Sequence, residues 1–138
     1  MDPAKQQKLD RLYMDIAVRV SEMSSAVRMK VGSVAVKENN ILSFGWNGMP
    51  TGFDNCCEVD DVSDPKVIHA EVNLFSKLAR TTGNALSSTL YITLSPCWDC
   101  CKMIIQCGIV RVVYKDEYRI TGPIDFLREA GIEVLHLP

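Results

Sequence analysis

Two short runs constrain this chain more than anything else in it: His69-Ala70-Glu71, and Pro96 followed by Cys97 and Cys100. Together they offer one imidazole, two thiols and one carboxylate. An imidazole with two thiolates suits Zn²⁺ in tetrahedral geometry, and three protein ligands leave the fourth position to water. A closed structural site needs a fourth protein ligand, so the count favours an open, catalytic one. Any fold of this chain must bring the two runs to one point.

The residues between them supply that return. From Ala70, the positions Val72, Leu74, Phe75, Leu78 and Ala79 recur at helical spacing and predict a helix that begins at His69 and stops near Thr82-Gly83-Asn84. Residues 89–94 read as a buried strand, and Pro96 is expected to open a second helix running to Cys107 and Gly108. About 11 helical residues carry the chain roughly 16 Å away, and about six strand residues bring it back roughly 20 Å. The two helix starts therefore meet. Cys97 and Cys100 lie on one face of the first helical turn, where the positive end of the helix dipole favours thiolate. Glu71 sits too far round its helix to be an obvious fourth ligand, yet near enough to reach a water on the ion. The competing reading is a structural zinc, or ordinary buried thiols beside a satisfied histidine. The histidine-x-glutamate run and the proline at this distance count against it.

The length of 138 residues bounds the chain to one domain, residues 1–138. A hydrophobic content of 47%, a net charge of −2 and a pI near 5.6 describe a soluble globule and argue against a nucleic-acid binder with a broad basic face. The polar residues 1–8 contain no secretory core and no apolar run approaches a membrane span, so a reducing cytoplasmic setting with free thiols is expected for the six cysteines.

Taken in order, Leu9, Leu12, Tyr13, Ile16, Ala17, Val20 and Met23 form a stripe that predicts an amphipathic helix over about 5–24, with charges on its far side. Residues 31–36 and 41–44 read as a hairpin turning at Asn39-Asn40. Arg28 and Lys30, just before it, are either solvated charges or a pair of phosphate contacts. The segment 45–52, with three glycines, a proline and Asn47, is either a plain turn or a ligand loop, and Asn47 can hold a sugar hydroxyl through both donor and acceptor. Cys56, Cys57 and the acidic residues after them read as a flexible loop, and Cys101 and Cys107 as small core residues. Residues 109–113 form a strand at whose end Tyr118 is placed to stack on a flat ring. A short helix through Ile124, Phe126, Leu127 and Ala130 and a strand over 132–135 complete the chain. The element order is α, hairpin, then α, β, α, β, α, β, which predicts a mixed sheet with helices on both faces.

With these residues in view the chain resembles the cytidine deaminase-like superfamily. Residues 45–52, 69–73 and 104–109 are most similar to its deoxycytidylate (dCMP) deaminase branch. The resemblance implies a three-layer α/β/α sandwich with zinc on His69, Cys97 and Cys100 and Glu71 shuttling protons. It implies Asn47, the backbone of Ala70 and the ring of Tyr118 around a nucleotide, with dCMP converted to dUMP and ammonia to feed thymidylate synthesis. It also implies a homo-oligomer, usually a hexamer, activated by dCTP (with Mg²⁺ possible beside the triphosphate) and inhibited by dTTP. Effector contacts would fall on Gly48 and Gly52 of the glycine-rich loop and near Arg80. A second, structural zinc of some relatives is not expected, because no histidine precedes His69 in this chain. The alternatives are a deaminase of dCTP or cytidine, and a zinc-stabilised binding module without chemistry.

Overall fold

The computed structural model describes residues 1–138. Its first element, α1 (Pro3–Ser21), starts where Asp2 accepts the Ala4 amide at 3.2 Å and Pro3 occupies the opening position, where a missing N–H costs nothing. β1 (Gly32–Lys37) and β2 (Asn40–Trp46) follow as a hairpin. The turn residues are Glu38 and Asn39, both at positive φ of 50° and 60°. They lie one position earlier than the Asn39-Asn40 pair expected, because only that register suits a tight hairpin turn. A second, very short hairpin, β3 (Glu58–Val59) with β4 (Val62–Ser63), turns at Asp60 and Asp61 inside the stretch expected to be a loop. Then come α2 (Ala70–Ala79), β5 (Thr89–Leu94), α3 (Trp98–Gln106), β6 (Arg111–Asp116), α4 (Gly122–Glu129) and β7 (Glu133–His136).

The main sheet has the order β2-β1-β5-β6-β7. β1 is antiparallel to both neighbours, whereas β5, β6 and β7 are parallel. The parallel half consists of two strand–helix–strand crossovers. Crossovers of one hand put α3 and α4 on the same face.

Alternation along the strands divides the interior into two cores. Val34, Val36, Tyr91 and Val113 face α1, packing on Tyr13, Met14 and Ala17. Ala35, Leu90, Ile92, Val112 and Tyr114 face α2, α3 and α4, packing on Leu74, Leu78, Cys101, Ile104 and Leu127. The result is the mixed sheet with helices on both faces predicted from the element order, the three-layer sandwich that the resemblance implies. Two glycines let the helices approach closely. A Cβ on Gly32 would fall 2.1 Å from the Ala17 carbonyl of α1, and one on Gly45 would fall 2.5 Å from the Ala70 carbonyl of α2.

One correction to the sequence reading concerns the margins of the α1 stripe, whose centre, Leu9, Tyr13, Ile16, Ala17 and Val20, packs inward as expected. Leu12 and Met23, assigned to the apolar stripe, are 49% and 62% exposed, while Asp10 is 3% exposed. Asp10 is drawn in by hydrogen bonds that periodicity does not register. Its carboxylate accepts both terminal nitrogens of Arg111 at 2.7 and 2.8 Å, the Tyr91 hydroxyl at 2.6 Å and the Gln6 amide at 2.9 Å. This ties α1 to β5 and β6.

Burial pushes the Asp10 pKa up, but the bonds from Arg111, Tyr91 and Gln6 together outweigh it and hold the carboxyl below its ordinary 3.8. A carboxyl depressed on folding stabilises the fold above its unfolded value and loses that contribution as pH falls through the folded one. Thermal melts should therefore show stability declining on acidification below about pH 4, and Asp10→Ala should flatten that decline. At neutral pH the same variant, which leaves Arg111 with Glu133 alone and the Tyr91 hydroxyl without its acceptor, is expected to cost about 1–3 kcal/mol in a denaturant titration.

Candidate active site

The two runs that constrain the fold arrive at corresponding places. His69 is the N-cap of α2 and Cys97 the N-cap of α3, both with extended backbone (φ −74°, ψ 158° and φ −78°, ψ 175°). The second helix thus starts two residues later than Pro96, which serves instead to lead into it. N-cap positions favour Ser, Thr, Asp or Asn, whose side chains accept a first-turn N–H. Neither His69 nor Cys97 makes such a bond. Both side chains turn toward one another instead.

The histidine Nδ1 lies 3.3 Å from the Cys100 sulfur and 3.5 Å from the Cys97 sulfur. The three donor atoms fall within 4.8 Å of one another. Ordinary zinc–nitrogen and zinc–sulfur lengths of about 2.0–2.1 and 2.3 Å, at the tetrahedral angle, set nitrogen and sulfur roughly 3.5 Å apart. The spacing of this donor set therefore fits a tetrahedral zinc ion, with Nδ1 as the histidine ligand. The sulfurs are chemically prepared for a cation. Hydrogen bonding from Cys100, then from His69, lowers the Cys97 thiol to about 4, and the reciprocal interaction raises Cys100. One proton remains between the two sulfurs for a metal to displace.

Glu71, in the first turn of α2, is 4% exposed. Burial pushes its pKa up to about 7, against smaller lowering influences from the backbone and His69. A carboxyl near neutrality takes and returns a proton with equal ease.

Beside these groups opens a cavity of about 530 Å³. Of the residues expected to meet a ligand, Arg28, Asn47, Ala70 and Tyr118 line it and Lys30 does not. The Ala70 carbonyl accepts the Ser33 hydroxyl at 3.1 Å, and its amide, at the first position of α2, has no intrahelical acceptor. Asn47 is less free than its sequence position suggested. Its Oδ1 accepts the Val31 amide and its Nδ2 donates to the Met29 carbonyl, both at 2.8 Å, so one N–H and one lone pair remain. Gly48 exchanges hydrogen bonds with Ile68, next to His69. Gly52 stands exposed at φ +94°. Arg80 caps the opposite end of α2, roughly 15 Å along the helix from His69. One chain therefore does not gather Gly48 and Arg80 into a single site.

The structure adds wall residues that the sequence did not single out. Ser95, buried, lines the cavity, and its hydroxyl accepts the Tyr118 amide at 2.7 Å, fixing the loop that carries that ring. Its place directly before Pro96 was the available signal. Glu58, Ser63, Asp64 and Pro65 reach the cavity from β3, β4 and the residues after them, and no periodicity marks them.

Comparison with known proteins agrees with this geometry. Residues 7–116 match the family model described as the cytidine and deoxycytidylate deaminase zinc-binding region. A crystal structure of dCMP deaminase from the cyanophage S-TIM5, in complex with dCMP and dUMP, is 45% identical, covers 99% of each chain and superposes with a TM-score of 0.92. The deoxycytidylate deaminase of Enterobacteria phage T4 is 32% identical over 91% of this chain and 88% of its own length. That of Saccharomyces cerevisiae is 30% identical over 97% of this chain and 46% of its own. A donor set spaced for zinc, a buried carboxyl beside it and these matches together place the chain in the cytidine and deoxycytidylate deaminase family.

Proposed function

We propose that this chain catalyses the hydrolytic deamination of dCMP to dUMP and ammonia, with zinc held by His69 Nδ1 and the sulfurs of Cys97 and Cys100. The observation that carries the reading is the buried Glu71 carboxyl, near neutrality, beside three soft donors at tetrahedral spacing. The 45% identity to a deaminase crystallised with dCMP and dUMP supports the choice of substrate. Bound zinc would act as a Lewis acid that makes water a nucleophile near pH 7.

The protein's own residues carry the protons. Glu71 takes one from the attacking water and gives it to N3 of the cytosine ring while the carbon–oxygen bond forms at C4. It then takes the remaining hydroxyl proton and passes it to the C4 amino group as the carbon–nitrogen bond breaks and C4 becomes a carbonyl. Atoms balance: cytosine and water become uracil and ammonia. The Tyr118 ring, on a loop whose Tyr118 amide donates to Ser95, offers a flat apolar wall to the base. The free half of the Asn47 amide faces the sugar, the Ala70 amide offers a donor, and Arg28 offers a cation to the 5′-phosphate. The product dUMP is the precursor of thymidylate. Control by dCTP with Mg²⁺ and by dTTP, within a hexamer, belongs to the same reading, with Arg80 of one subunit meeting the Gly48 and Gly52 loop of another.

Ammonia release should be fastest with dCMP in a panel that includes deoxycytidine, cytidine and dCTP, assayed with and without dCTP–Mg²⁺ and dTTP. Equal rates on deoxycytidine and dCMP would refute a phosphate-reading site. Glu71→Gln should retain zinc while turnover falls by about 10²–10⁴-fold; retention of wild-type turnover removes the proton-shuttle role. Cys97→Ser installs a better N-cap, so circular dichroism should show the helices intact, while elemental analysis should show zinc well below about one ion per chain.

A further inference from the structure

The cavity wall contains a carboxylate whose engagement is unusual for its place. Residues 24–31 have almost no regular structure, yet they carry Arg28, the single lysine or arginine side chain among the residues lining the cavity. The Arg28 guanidinium makes no ion pair. Glu58 lies within reach of this segment but does not neutralise it. One carboxylate oxygen, Oε1, accepts the successive backbone amides of Val27 at 2.8 Å and Arg28 at 3.1 Å. Two consecutive N–H groups aimed at one anionic oxygen form a nest, and bonds of this charged kind are roughly twice as strong as neutral ones.

Glu58 is itself anchored. It pairs with Ser63 across β3 and β4, and Cys57 beside it is buried and accepts the Asp64 amide at 2.8 Å. The carboxylate charge is thereby directed to the backbone beneath Arg28, and the guanidinium stays available to the cavity.

We infer that Glu58 is a positioning residue that sets the selectivity of this site for a nucleoside 5′-monophosphate by fixing Arg28 against the phosphate; this rests on the substrate reading above. Without the clip, the amides of residues 27 and 28 lose their only side-chain acceptor. A ligand phosphate must then order a long, unanchored arginine as it binds. The effect falls on phosphate recognition, because Glu58 touches neither the donor set nor Glu71.

The test compares zinc-loaded wild type, Glu58→Ala, Glu58→Gln, Arg28→Ala and the Arg28→Ala/Glu58→Ala double variant in steady-state kinetics on dCMP and on deoxycytidine, which lacks the phosphate. Glu58→Ala should raise KM for dCMP about tenfold with kcat changed less than about twofold, lowering the preference for dCMP over deoxycytidine by the same factor. Glu58→Gln keeps an oxygen for the two amides and should recover most of that preference. The double variant should be no worse on dCMP than Arg28→Ala alone. Equal proportional losses on both substrates, or losses from Glu58 and Arg28 that multiply, overturn the inference. A wild-type enzyme without preference for dCMP overturns the substrate reading, and this one with it. A wild type that prefers dCMP while Glu58→Ala keeps the preference overturns this one alone.

Discussion

The convergence of one imidazole nitrogen on two sulfurs, 3.3 and 3.5 Å away, is the constraint the architecture serves. It requires two helix N-termini at one point, and β5 provides the return path between α2 and α3. It also gives His69 and Cys97 cap positions that a Ser or Asp would fill better, at a cost of about 1 kcal/mol each. Close packing of α2 on the sheet, through Gly45 and the Ser33 hydroxyl, holds the first of those termini in place. A larger residue at 45 would move Ala70, and with it the donor before it and the acid after it.

The two faces of the sheet divide the work. α1, alone on its side, is locked by a buried ionic node joining Asp10, Tyr91 and Arg111, in the layer away from the donor set. The α2, α3 and α4 side is an apolar core ending at the donor set. Helix starts thus carry His69, Glu71, Cys97 and Cys100, while much of the remaining cavity wall, including Arg28, Asn47 and Tyr118, comes from irregular segments tied by side-chain to backbone bonds. Loops positioned by a stiff scaffold are where recognition ordinarily resides.

This division explains what could be read from the sequence. The helices, the strands of the main sheet in chain order, and the meeting of the two runs follow from periodicity and from a local motif, whereas the short β3–β4 hairpin lies in a stretch that reads as a loop. Three other features do not follow from them. Asp10 sits where an apolar stripe predicts a residue turned to water, because its partners lie on β5 and β6, which no α1 pattern encodes. Asn47 looks like a free amide until its bonds to Met29 and Val31 are seen. Glu58 and Ser95 act through backbone amides 30 and 23 positions away. Side-chain to backbone bonds of this reach have no characteristic spacing and so leave no trace in composition or period.

The identity of the donors bears on the acid beside them as well as on the metal. Burial above all, with a smaller push from the Cys97 sulfur and against opposing pulls from the backbone and His69, raises Glu71 to about 7. An uncompensated divalent ion at that distance would pull the carboxyl back toward its ordinary range and lock it as carboxylate. Two thiolates bring the sum of zinc and its ligands to no net charge. A bound ion then leaves burial as the governing influence on Glu71. A three-histidine site in the same cradle would keep its full positive charge and depress the acid. On the proposed reading the two cysteines would therefore do more than hold a soft cation: they would let a buried carboxyl beside a metal continue to exchange protons near neutral pH.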